Sequence, residues 1–206
     1  MSSLLYLESS PRGSESVSSS AAKIYLEALP NSVAVTNLSL FDAELPEFAA
    51  TMADAKYKTM FGETLSEQEQ RAWKQVEALV AQFLAADHYL LSVPMWNLGV
   101  PYKLKQYIDL ITHPGMTFVP AAEGMKGLAS GRATIIYSRG GDYSATDAGP
   151  DPYDFQSPYL RAWLTMVGID SIDEVPIQRT MAGPEVRETA LAEAATRLTT
   201  LAKALQ

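Results

Sequence analysis

Cysteine is absent from the 206 residues, and histidine occurs only at His88 and His113. The first absence excludes disulfides, thiolate nucleophiles, Cys-ligated zinc and Cys-ligated iron–sulfur clusters. The second leaves a His-based metal site poorly supplied, so no metal is expected. Positive charge is also scarce, with 16 Lys and Arg against 24 Asp and Glu and a formal net charge of -8. That balance disfavours broad binding to nucleic-acid backbones or anionic membrane surfaces. No apolar run approaches the length needed to cross a bilayer, and the first residues lack the basic and apolar regions of a signal peptide. A cytoplasmic protein with no membrane and no nucleic-acid partner is the expectation.

What is present suits one compact domain over residues 1–206, with 47% hydrophobic and 19% charged residues. Apolar runs at Leu4–Leu7, Val33–Leu38, Tyr89–Val93, Arg132–Ser138 and Ile169–Ile177 read as strands. Amphipathic helix patterns alternate with them. One runs through Ile24, Tyr25 and Leu29, and a short one spans Ala50–Phe61. A third opens on the capping box Ser66–Glu69, with Trp73 at core spacing. Others follow at Tyr102–Ile111, around Tyr159–Val167 and over Glu185–Leu205. His113 reads as a helix C-terminal histidine favoured by the dipole, and His113–Val119 begins an extended or hairpin excursion. Strand–helix alternation implies a parallel sheet covered on both faces. Five strands in flavodoxin-like order 2-1-3-4-5, a three-layer α/β sandwich, are expected.

In such sheets ligands settle beyond the carboxyl ends of the strands. Three loops share that address: Ser9–Ser18, Pro94–Leu98 and Ser138–Gly141. The first is rich in hydroxyls and leads into a helix, an arrangement suited to an anion because helix N-terminal N–H groups lack partners. Serine is equally at home as a plain helix cap, so both readings stand. The second carries Met95, Trp96 and Asn97 in succession. The third ends in the pair Gly140-Gly141, which lets backbone approach a flat or bulky group, or simply makes a tight turn. Phosphate donors at one end and aromatic, apolar and amide groups at the other fit a flavin mononucleotide. The P-loop, Gly-x-Ser-x-Gly and His-Glu-x-x-His motifs are missing.

Ser9-Ser10-Pro11-Arg12-Gly13-Ser14-Glu15-Ser16-Val17-Ser18, Pro94-Met95-Trp96-Asn97-Leu98 and Ser138-Arg139-Gly140-Gly141 together resemble the flavin-binding segments of the FMN-dependent NADH-azoreductases. This family, also described as NADH:quinone oxidoreductases, has a flavodoxin-like fold, and the similarity spans nearly the whole chain. The resemblance implies a homodimer with interface active sites and one tightly bound FMN per subunit. NADH, with NADPH left open, would reduce the flavin, which then reduces quinones or azo compounds in ping-pong fashion. Ser10, Ser16, Val17 and Ser18 would hold the phosphate and ribityl end. Pro94, Met95, Trp96, Asn97 and Leu98 would line the ring, and Ser138, Arg139, Gly140 and Gly141 would meet its other edge. Phe118 and Tyr143 would wall the second substrate. No catalytic side chain is demanded, because the flavin carries the chemistry; Asn97 assists. Where the family often has Glu-Gly near the start of the last helix, this chain reads Gln178-Arg179-Thr180-Met181-Ala182-Gly183-Pro184-Glu185. Rival readings are a flavodoxin-type electron carrier with no NADH oxidation of its own, and a dimeric binding or sensor module that uses FMN structurally.

Overall fold

The computed structural model describes residues 2–122 and 124–205. Its centre is a five-stranded, all-parallel sheet built from β1 (Ser2–Glu8), β2 (Val33–Ser39), β3 (His88–Pro94), β6 (Arg132–Ser138) and β7 (Ser171–Ile177), in the order β2-β1-β3-β6-β7. Counted along the chain that is the expected 2-1-3-4-5. The remaining strands, β4 (Phe118–Ala121) and β5 (Gly124–Gly127), form a separate antiparallel hairpin, which is the excursion expected after His113.

Strand sequence follows position. β1, β3 and β6 occupy the middle and are buried through their central residues, as their continuous apolar runs require. The edge strands β2 and β7 are more exposed, and Pro176 is placed in β7, where its missing donor costs least. Alternate residues feed two cores. Leu5, Leu7, Leu91, Val93 and Ile135 point to the face covered by α2 (Ala50–Phe61), α3 (Glu67–Leu84), α4 (Tyr102–Ile111) and α5 (Ser157–Val167). Leu4, Tyr6, Leu90, Ile136 and Val175 point to the face covered by α1 (Val17–Glu27) and α6 (Pro184–Lys203).

Local chemistry sets several boundaries. α3 starts on the capping box: the Ser66 Oγ accepts from Glu69 N at 3.3 Å, and the Ser66 N donates to Glu69 Oε2 at 2.7 Å. Lys58 of α2 adds a 2.8 Å ion pair to the same carboxylate. The Lys58 hydrogen bond and those from Ser66 pull the Glu69 carboxyl down to about 2. Trp73 lies buried on the core face of α3. The last strand begins two residues later than its apolar pattern suggests. α5 ends at Gly168, φ +107°, and the Ile169 N–H is spent on Leu164 O at 2.8 Å. A Cβ on Gly168 would stand 2.4 Å from Ala129 O, so the seat of the β4–β5 hairpin on α5 requires glycine here.

His113 departs from expectation. Its ring Nε2 lies 2.7 Å from Leu110 O at the end of α4, but the residue is only 2% exposed. Burial, with the nearby Lys56 charge, pushes its pKa down to about 4. It therefore caps the helix as a neutral donor and carries no charge at pH 7 for the dipole to favour. Among the described residues no helix is long and apolar enough to cross a membrane.

Candidate active site

The three loops leave adjacent central strands, and each is tied at its root to the neighbouring strand. Just past β1, Ser9 donates to Ser92 O of β3 through both its N–H, at 3.2 Å, and its hydroxyl, at 2.6 Å. Just past β3, the Met95 N–H donates to Ser138 O at the end of β6, at 2.8 Å. Strand order alone thus carries residues some 130 positions apart to one edge.

In the first loop Ser10 is buried and its hydroxyl accepts from Arg12 N at 3.4 Å. A 3₁₀ turn at Gly13–Glu15 leads to Ser16, the N-cap of α1. Ser16 Oγ accepts from Ser19 N at 3.3 Å and lies 3.1 Å from Ser18 Oγ. Ser16 and Ser18 are buried and Val17 is half-buried. Within the described chain the N–H groups of Val17 and Ser18 find no acceptor, the usual state of a first helical turn. Buried hydroxyls beside free N–H groups and the positive end of a helix form a surface prepared for an anion.

The second loop is a tight reversal. Trp96 and Gly99 exchange both backbone hydrogen bonds, at 3.1 and 3.0 Å, around Asn97 at φ +47° and Leu98 at φ +72°. Two consecutive left-handed residues are the signature of a type I′ turn. Asparagine tolerates that conformation, whereas leucine holds it only under restraint. The restraint is visible: Phe155 N donates to Leu98 O at 3.2 Å. Asn97 is exposed, with its amide free to meet a ligand. The Trp96 ring packs against Phe41 at 5.6 Å and Tyr102 at 6.3 Å between centroids. It faces a hollow of about 630 Å³ shared with Phe48, Tyr102, Phe155 and Tyr159.

The third loop splits into two parts. Arg139 is 3% exposed and its side chain meets three partners. Nη2 meets Asp154 Oδ2 at 2.9 Å, Nε donates to Gln156 Oε1 at 3.0 Å, and the guanidinium lies 4.9 Å over the Tyr137 ring. Gln156 in turn donates to Val93 O at 3.1 Å. The Arg139 side chain thus clamps the end of the 142–156 segment to the sheet. Burial pushes the Asp154 carboxyl up, but hydrogen bonds from Ser157 and the Arg139 charge more than offset it, leaving it below the ordinary range.

Gly140 and Gly141, in contrast, line an open cleft of about 280 Å³ with Met95, Asn97 and Leu98 on one side and Tyr143 and Met181 on the other. Asn97 borders both this cleft and the aromatic hollow. Phe118, half-buried at the start of β4, lines neither. Met181 and Phe41 were not singled out by sequence. Both follow the carboxyl ends of strands, β7 and β2, and topology was the one signal that marked them. Among the described residues no group of three or more His, Cys, Asp or Glu could hold a metal ion.

Comparison with known proteins agrees with this fold. Residues 2–201 match the family described as flavodoxin-like fold. An FMN-dependent NADH:quinone oxidoreductase of Desulfotalea psychrophila is 40% identical, the match covering 100% of this chain and 98% of that protein. A second such enzyme, from Pseudomonas syringae pv. tomato, is 39% identical over 98% of this chain and 99% of its own length. Among solved structures, an FMN-dependent NADH-azoreductase from Bacillus anthracis in complex with FMN superposes with a TM-score of 0.87 at 27% identity, covering 98% of this chain and 100% of that one. The chain belongs to the family of FMN-dependent NADH:quinone oxidoreductases of flavodoxin-like fold.

Proposed function

We propose that this protein uses NADH to reduce quinones and aromatic azo compounds through an FMN seated across the three loops. The observation that carries this is their junction over β1, β3 and β6, tied through Ser9–Ser92 and Met95–Ser138. The residues present fit the cofactor. Ser10, Ser16 and Ser18, with the N–H groups of Val17 and Ser18, hold the phosphate and ribityl end. Met95, Asn97 and Leu98 line one side of the ring, with Pro94 and Trp96 behind them; Ser138, Gly140 and Gly141 meet its other edge. The Asn97 amide offers both a donor and an acceptor to the polar rim of the flavin. Arg139 serves from behind, fixing the backbone that the ring meets.

When bound, FMN supplies the redox chemistry, accepting electrons from NADH and passing them to the acceptor. The protein's residues orient the two substrates in turn and close the cleft to water. Tyr143 walls the acceptor side. Phe118 belongs to the same role through a homodimer whose active sites lie at the subunit interface. Support for a dimer comes from the exposed Phe48, Tyr102 and Phe155 around the aromatic hollow, apolar surface of the kind that a second copy covers. A cytoplasmic location, where NADH is at hand, goes with this reading.

A visible spectrum before and after anaerobic NADH tests this. Yellow protein should bleach at once and regain colour on adding a quinone. Bleaching that requires an added reductase would mark an electron carrier instead, and colourless protein that takes up no FMN would overturn the cofactor assignment.

A further inference from the structure

We infer that Met181 walls the acceptor side of the cleft beside Tyr143 and sets which acceptors fit; this rests on the FMN assignment above. The loop after β7 is laid onto the glycine pair backbone to backbone. Arg179 N donates to Gly141 O at 2.8 Å, Thr180 N to Arg139 O at 2.9 Å, and Met181 N to Gly140 O at 3.3 Å. Thr180 adds its hydroxyl to Arg139 O at 3.0 Å. Arg179 holds the turn in a left-handed conformation, φ +58°, which is strained for any residue with a Cβ. The turn that presents Met181 is thus as firmly built as the floor of the cleft.

The side chain itself is the opposite. Met181 is 87% exposed, the highest value among the large apolar residues described. Its Sδ lies where a Cβ on Gly140 would approach to 2.8 Å, so the thioether rests over bare backbone at the lip of the cleft. Next to it, Tyr143 covers Gly141 in the same way, with Cε2 at 3.3 Å from the corresponding position. A fixed backbone carrying an exposed, flexible, polarisable side chain makes an adjustable wall, and sulfur at a ring edge or face is a favourable contact. The acceptor class this suits is a flat, uncharged aromatic ring. Small rings touch the thioether in place, whereas larger ones need it to swing aside.

The test compares Met181→Ala and Met181→Leu with wild type in two ways. FMN dissociation constants come from flavin fluorescence quenching on apoprotein. Values of kcat/KM are measured with 1,4-benzoquinone and with a bulky azo dye such as methyl red. Met181→Ala should keep the FMN constant within about twofold while shifting the dye-to-benzoquinone ratio of kcat/KM upward on the order of fivefold, mostly through KM. Met181→Leu, similar in volume, should hold the ratio near wild type. An unchanged ratio in Met181→Ala overturns the inference. So does a loss of FMN affinity that lowers both acceptors in proportion, since Met181 would then belong to the cofactor seat. Wild-type apoprotein that binds no FMN overturns the underlying assignment, and that result is seen before any variant is compared.

Discussion

The serine-rich loop after β1 and the paired loops after β3 and β6 stand on neighbouring strands, yet they are held in contrasting ways. The first is organised by its own cap, Ser16 on Ser19 and Ser18, with one tie to the sheet at Ser9. Its Val17 and Ser18 N–H groups are left unspent within the described chain. The second pair is locked from behind by the buried Arg139–Asp154 ion pair, by Gln156 on Val93, and by the turn at Asn97–Leu98. A phosphate needs free donors and tolerates a locally built cradle; a flat ring needs a fixed surface. The difference in construction matches the difference in what each region has to hold.

The largest effect should come from breaking the lock. Arg139→Ala leaves Asp154 without its cation in a buried setting, which should cost about 3–5 kcal/mol of unfolding free energy in urea titration. The 142–156 segment should then become the first site of limited proteolysis. The double variant Arg139→Met with Asp154→Leu should lose less than the single one, because no charge is left unpaired. Equal stability of Arg139→Ala and wild type would remove the contrast between the two regions.

Acid should loosen the same region selectively. The Asp154 carboxyl is held below its unfolded value, so the unfolded chain takes up the proton first. Its contribution is fully present above about pH 4 and is lost as pH falls below that toward the lowered folded value. Thermal unfolding followed from pH 7 downward should show this loss, and Asp154→Asn should flatten that part of the profile. The smallest change is expected at Arg179→Gly. Relief of the left-handed conformation, partly offset by the greater freedom of unfolded glycine, should stabilise by less than about 1 kcal/mol. A destabilised Arg179→Gly variant would mean that the arginine side chain, rather than the turn, matters there.

These expectations also show where sequence stopped being informative. Strand–helix alternation and the continuous apolar runs of β1, β3 and β6 made the parallel sheet and its order readable, and the order then delivered the three loops to one edge. The capping box Ser66–Glu69 and buried Trp73 were readable because their partners lie within one helix or one periodic face. Arg139 was not. A cation after a strand and before two glycines looks like a ligand contact, and only the fold brings Asp154 and Gln156 around it. The packing partner of Trp96 was hidden for a related reason: its ring meets Phe41, which arrives from the loop after β2. Met181 lay in the stretch that departs from the family pattern, and its place over Gly140 depends on backbone bonds between two loops distant in sequence.

The division of labour between the loops is tested most directly by measuring FMN and riboflavin binding side by side, on wild type, Ser16→Ala and Asn97→Ala. The two ligands differ only in the phosphate. Ser16→Ala should weaken FMN roughly tenfold, the scale of a lost hydrogen bond to a charged group, and leave riboflavin within about twofold. Asn97→Ala should weaken both ligands by the same factor. Equal losses of FMN and riboflavin in Ser16→Ala, or loss of FMN alone in Asn97→Ala, would contradict the assignment of phosphate to the serine loop and ring to the locked pair.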